Sequence, residues 1–150
     1  SVLAPVGGGG LIAGVSTAVK ALSPRTSVLG VEPAAFDDTR RSLESGTRET
    51  IDPAARSICD ALQSPSPGAI TFPINQRTLD GVATVTDADV AEAIRYAYTT
   101  LKLVIEPGGA VGLAALLSGV IDVEDVTVGV VLSGGNIDPG LFASILAGEL

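Results

Sequence analysis

The sequence contains no histidine, one cysteine, no methionine and no tryptophan, and its aromatic content is 3%. The missing imidazole removes His-based triads, His-ligated metals and His general bases. Cys59 alone builds neither a disulfide framework nor a zinc site. With no histidine to activate it, it reads as a packed side chain rather than a nucleophile. A reducing, cytoplasmic setting fits this usage. Positive charge is also sparse: nine Lys and Arg stand against 17 Asp and Glu, for a net charge of −8, and the only lysines are Lys20 and Lys102. So acidic a surface has no electrostatic footprint for nucleic acid or an anionic membrane. Long apolar runs are lacking too. Ser1 to Val19 is interrupted by Pro5 and Gly7 to Gly10, and Pro107 to Ile121 by Gly108, Gly109, Gly112 and Gly119. Neither offers the ~20 apolar residues of a membrane span, and the opening residues carry no basic region of a signal peptide.

What is present is a chain of 150 residues, 46% apolar, with 18 glycines and a mean hydropathy of +0.46. One domain is expected at this length, and such a composition excludes a disordered segment. A core of small and branched aliphatic residues favours flat layers, hence an α/β fold with a parallel sheet in a three-layer α/β/α arrangement.

Val2 to Val6 reads as a short buried strand. It runs into Gly7–Gly10, after which Leu11, Val15, Ala18, Val19 and Leu22 recur at helical intervals until Ser23-Pro24. Ser27 to Val31 is a second strand closing on Glu32-Pro33, and a helix is expected from Phe36 to Glu44. Such a strand–loop–helix–strand unit crosses over right-handed into a parallel sheet. Thr50 to Gln76 holds Pro53, Pro65, Pro67 and Pro73 and has no clean period, so a long ordered loop with short helical turns is expected. Gly81 to Val85 reads as an edge or linking strand. Thr86 or Asp87 caps a helix whose stripe is Val90, Ala93, Ile94, Ala97 and Leu101. Ala110 to Leu117 reads as a buried helix and Val126 to Leu132 as a central parallel strand. That strand ends in Ser133-Gly134-Gly135-Asn136, and a last helix follows from Pro139.

Four glycines in a row exceed what a turn requires. Placed between a buried strand and a helix, they leave backbone N–H groups bare at the positive end of the helix dipole, an arrangement suited to a phosphate. No Lys-Ser/Thr follows them, so the loop is not of Walker type. Gly8-x-Gly10-x-x-Ala13 with Glu32 at the end of the next strand also fits a dinucleotide fingerprint, which keeps an NAD-binding oxidoreductase domain open. Pro33 beside the acid, and the unexplained second glycine turn at Ser133, speak against it. Glu32 and Asp38, with backbone carbonyls between them, could hold Mg²⁺ or Ca²⁺, although an acidic helix start explains the same residues. The second glycine turn lies at the carboxyl edge of the sheet, where open α/β sheets bind ligands. Lys20 and Lys102 read as solvated charges near helix C-termini.

The ordered series Val6–Gly14, Val31-Glu32-Pro33, Lys102–Val111 and Leu132–Asn136, with Thr71-Phe72-Pro73-Ile74 between, resembles the serine/threonine dehydratase branch of the pyridoxal-phosphate enzymes of tryptophan-synthase-β type, which includes serine racemase. The likeness runs over essentially the whole chain and implies part of the large domain of a fold type II enzyme. By that resemblance Gly7, Gly8, Gly9 and Gly10 hold the cofactor phosphate. Ser133, at the head of the turn that includes Gly134, bonds the pyridine nitrogen, and Glu106 lies near the ring. A neutral hydroxyl at that nitrogen tempers the electron sink, which suits β-elimination. Glu32, the Phe36 carbonyl and Asp38 match the site of the metal-binding members. The implied activity is conversion of a 3-hydroxy amino acid such as threonine or serine to a 2-oxo acid and ammonia.

The family's cofactor-bearing lysine and substrate-carboxylate loop belong upstream of the glycine loop, and neither is in this sequence. The chain is therefore expected to be the C-terminal half of such an enzyme, inactive alone, partnered by the missing N-terminal half and homo-oligomeric when complete. An inert ligand-binding or regulatory module of the same fold is the remaining alternative.

Overall fold

The computed structural model describes residues 1–123 and 125–150. Four parallel strands form one sheet in the order β3-β2-β1-β4, with β1 Val2–Pro5, β2 Val28–Pro33, β3 Gly81–Val85 and β4 Gly129–Val130. The helices are α1 Gly10–Leu22, α2 Asp38–Ser45, α3 Thr71–Thr78, α4 Asp87–Tyr96, α5 Pro107–Leu117 and α6 Pro139–Ala147. Ala34–Phe36 and Asp60–Leu62 are 3₁₀ turns, and Ala97–Leu101 is a π-helical turn that continues α4.

Alternation along the strands sorts the core into two layers. Ala4, Val6 and Val28 pack with Ile12 and Val19 of α1, whereas Val31 and Val85 join the buried residues of α4, α5 and α6. α5 is buried at every residue from Pro107 to Ala115, as befits a helix pressed between the sheet and α4. Pro107 at its first helical position and Glu106 as N-cap start it three residues earlier than the apolar run alone suggested.

Three expectations are corrected by this architecture. The β-branched run Val126 to Leu132 is not a central strand: among the described residues β4 pairs on one side only, with β1, and Val126 is 54% exposed. The segment from Thr50 to Gln76 contains a true helix, α3, because Pro73 falls in its first turn, where its missing N–H costs no intrahelical bond. Leu101 leaves the α4 stripe and is 42% exposed, while Val90, Ala93, Ile94 and Ala97 are fully buried. The wider π-helical turn advances the chain past the 3.6-residue register at that point. Elsewhere the expected cap of α4 is found. Thr86 and Asp89 form a capping box on α4, and the Asp138 carboxylate accepts from Leu141 N at 2.9 Å to start α6. Among the described residues no helix is long and apolar enough to cross a membrane.

Candidate functional site

The carboxyl ends of β1 and β4 both open into glycine turns, and parallel pairing brings those turns together. A cavity of about 260 Å³ lies there, lined by Pro5, Gly7, Gly8, Gly9, Gly10, Leu11, Ala61, Leu62, Glu106 and Ser133. Every cofactor-site residue expected from the sequence except Gly134 lies on its wall, and Gly134 packs directly behind Glu106.

The glycine loop is built for close approach. Gly9 caps α1 with φ +87°, and a Cβ on it would come within 2.7 Å of Asn75 Nδ2 and 2.9 Å of Thr71 Oγ1. A side chain is thus excluded both by conformation and by space. Ala13 N donates to the Gly9 carbonyl at 3.0 Å, so the N–H groups of Gly10, Leu11 and Ile12 precede the first intrahelical donor. Bare amides at the positive end of a 13-residue helix form a site for an anion. The far wall comes from the 3₁₀ turn: a Cβ on Gly7 would lie 3.2 Å from Leu62 Cα.

Glu106 ties the second glycine turn to the N-terminus of α5. Its carboxylate accepts from Asn136 N at 3.0 Å, its own N–H donates to the Gly134 carbonyl at 3.2 Å, and its carbonyl accepts from Gly109 N at 3.0 Å. Gly109 in turn admits the Ser133 carbonyl, which would stand 2.6 Å from a Cβ there. Ser133 and Glu106 thus line the same cavity as the amide-rich N-terminus of α1.

The carboxylates expected at a metal lie apart from this cavity, around the start of α2. Glu32 is fully buried, and its two oxygens accept from Thr39 N and Arg40 N, each at 3.0 Å. Burial pushes its pKa up to about 7 against the lowering effect of those bonds. Asp38 is 1% exposed, burial likewise raises it to about 6, and its Oδ2 has no hydrogen-bond partner among the described residues. Phe36 is buried beside them at the end of its 3₁₀ turn. Asp37 faces away and pairs with Arg40 and Arg41. Among the described residues no group of three or more His, Cys, Asp or Glu side chains is placed to hold a metal.

This geometry gives the dinucleotide alternative no support. An acid that reads a ribose must present free oxygens at the strand end, whereas Glu32 is enclosed and committed to the first amides of α2. The lysines are placed away from the cavity as well. Lys20 pairs with Asp80 at 2.7 Å rather than standing solvated, and Lys102 donates to the Thr99 carbonyl at 2.7 Å. Sequence reasoning missed Ala61 and Leu62, which sit in an aperiodic, proline-rich segment. It also missed the backing of the loop by Thr71 and Asn75, for which the helical spacing within α3 was the available signal.

Known proteins resemble this chain. The family model described as pyridoxal-phosphate dependent enzyme matches residues 1–134. An L-threo-3-hydroxyaspartate ammonia-lyase of Pseudomonas sp. is 39% identical over 143 residues, covering 95% of this chain and 44% of the relative. A serine racemase of Dictyostelium discoideum is 38% identical, with 97% and 46% covered. The crystal structure of a threonine deaminase from T.th. superposes with a TM-score of 0.85 at 48% identity, covering 91% of this chain and 49% of that one. The chain thus spans about half the length of the relatives it matches.

Proposed function

Since the chain belongs to the pyridoxal-phosphate-dependent enzyme family, we propose that its glycine cavity holds that cofactor and that the whole protein eliminates water from a 3-hydroxy amino acid, the product hydrolysing to a 2-oxo acid and ammonia. The observation that carries this is the convergence of Gly7–Gly10, Glu106 and Ser133, from three separate sequence motifs, on one cavity of about 260 Å³.

In this reading the amides of Gly7, Gly8, Gly9 and Gly10 would hold the phosphate, Ser133 would serve the ring nitrogen, and Glu106 and Gly134 would stand near the ring. When bound, pyridoxal phosphate supplies the electron sink that makes the α-proton of an amino acid removable. Gly109 and Gly134 let Ser133 and Glu106 pack closely against neighbouring backbone, which would hold both in place before a cofactor binds. In the overall chemistry the α-C–H bond and the β-C–O bond break, the hydroxyl leaves as water, and the released enamine hydrolyses to a 2-oxo acid and ammonia. Threonine and serine are the proposed substrates, from the names of the relatives. Neither lysine of this chain lines the cavity, so the amine that must anchor the cofactor is assigned to residues corresponding to the other half of the relatives. That half, or a further copy in a homo-oligomer, would also cover the apolar side chains exposed at Leu103, Val104, Val120 and Val126.

The same reading includes a divalent cation at Glu32, the Phe36 carbonyl and Asp38, for which Glu32 would have to share oxygens that already accept from Thr39 N and Arg40 N. The unpartnered buried Oδ2 of Asp38 supports it, since a hard cation satisfies such an oxygen. Asp38→Ala is expected to abolish a Mg²⁺-dependent rise in melting temperature, and a retained rise rejects the site.

Absorbance titration of the purified protein with pyridoxal phosphate and, separately, NAD(H) tests the main proposal. Saturable binding of the first, lost in Gly8→Asp, is expected. Preference for NAD(H), or an unchanged affinity in Gly8→Asp, overturns it.

A further inference from the structure

We propose that Thr71 is a positioning residue of the anion site, acting through the carbonyl of Gly8; the inference rests on the glycine loop being that site. Thr71 opens α3, outside the cavity wall, and its Oγ1 donates to the Gly8 carbonyl at 2.6 Å. A hydroxyl has one proton, and the other acceptor in reach, the Gly68 carbonyl, is farther at 3.2 Å. Gly68 N adds a second donor to the same Gly8 oxygen at 3.1 Å. A side chain on Gly68 would stand 3.0 Å from that oxygen and 2.7 Å from Thr71 Oγ1, so this clasp tolerates only glycine there.

The consequence follows from the planarity of the peptide bond. In a trans peptide the C=O and the next N–H point in opposite directions. Holding the Gly8 oxygen towards α3 therefore turns the N–H of Gly9 away from α3, to the side on which the cavity lies. With no side chains to resist rotation, a run of glycines is the least able of all sequences to keep such an orientation by itself. The bond from Thr71 supplies what the loop lacks: it fixes one peptide plane before the anion arrives, so less ordering is needed on binding. Asn75, one turn further along α3, closes the space beneath Gly9 at 2.7 Å from where its Cβ would be.

The readout is the ratio of affinities for pyridoxal phosphate and pyridoxal, which differ only in the phosphate. Thr71→Val keeps the shape and deletes the donor, and is expected to lower that ratio by about tenfold, the scale of one hydrogen bond. Thr71→Ser is expected to restore it, which a loss of packing would not. A wild-type protein that fails to favour pyridoxal phosphate overturns the site assignment itself. A wild type that favours it, with Thr71→Val favouring it equally, overturns the role of Thr71 alone. Should Thr71→Val not fold, the wild type decides by NMR. On titration with inorganic phosphate the Gly9 amide proton is expected to shift, and a Gly9 signal that stays in place while Gly10 and Leu11 move overturns the proposal.

Discussion

The carboxylate of Glu106 fills the space that a side chain on Gly134 would need: a Cβ there would lie 2.7 Å from Glu106 Oε2 and 2.8 Å from Oε1. Gly134 also has φ +97°, a conformation that L side chains resist. Gly134→Ala must therefore both strain the turn and displace the carboxylate from the cavity wall. It is expected to weaken pyridoxal phosphate binding by tenfold or more in an absorbance titration, and to lower stability by about 1–3 kcal/mol. Gly46→Ala is the control, because φ there is +76° with nothing within 4 Å of its Cβ. It should cost stability without touching affinity.

Cys59 is fully buried, and burial pushes its thiol up to about 12. Only the thiolate reacts with a disulfide reagent, so the native protein is expected to resist such a reagent at pH 8 and to react fully once unfolded in urea. The sign for stability follows. Above its ordinary value of 9.0 the thiol ionises in the unfolded chain but stays protonated in the folded one. Its contribution is therefore complete below that value and is lost as pH rises towards 12. Rapid labelling of the native protein would show that Cys59 is not enclosed.

The two glycine loops, at Gly7–Gly10 and after Ser133, were legible because runs of glycine interrupt strand and helix patterns, whereas Glu106 entered only through the family resemblance. Thr86 was legible because a cap is local chemistry, and the termini of α1 because helical spacing begins after the glycines and stops at Ser23-Pro24. Burial of Val126 was not, since a β-branched run reads the same whether or not a neighbouring strand lies on its open side. Leu101 was misplaced because a π-helical turn leaves no mark on apolar spacing. The α3 helix hid behind Pro73, which breaks helices everywhere except in the first turn, where it stands here. The pairing of Lys20 with Asp80 depends on where β3 docks, which local spacing does not encode.

Asn75 is fully buried, yet among the described residues neither Nδ2 nor Oδ1 of its amide has a hydrogen-bond partner. Leaving such a group unpaired costs about 1–3 kcal/mol, while an apolar side chain of the same shape carries no such penalty. Asn75→Leu is expected to raise the urea midpoint, by roughly 1 kcal/mol of stability. A lower midpoint would mean that a buried water serves the amide and that its bonds outweigh the apolar gain.

Asp80 joins three elements at the entrance to β3. Its Oδ2 accepts from Lys20 Nζ of α1 at 2.7 Å and from Val28 N of β2 at 2.8 Å. The Lys20 ammonium, aided by the Val28 amide, holds the carboxyl below its ordinary 3.8 despite partial burial. In the window between the folded value and 3.8 the unfolded chain binds more protons, so stability rises with pH there. The contribution is present above 3.8 and disappears as pH falls through the folded value. Because the side chain is 42% exposed, solvent screens the pair and its worth is about 1 kcal/mol or less. Asp80→Asn retains an acceptor for Val28 N but loses the charge. At pH 7 it is expected to lower the urea midpoint modestly, and the difference from wild type should shrink on acidification below 3.8 and in high salt. A difference that persists unchanged in acid would show that the carbonyl geometry at Val28, rather than the charge facing Lys20, holds β3 to the sheet.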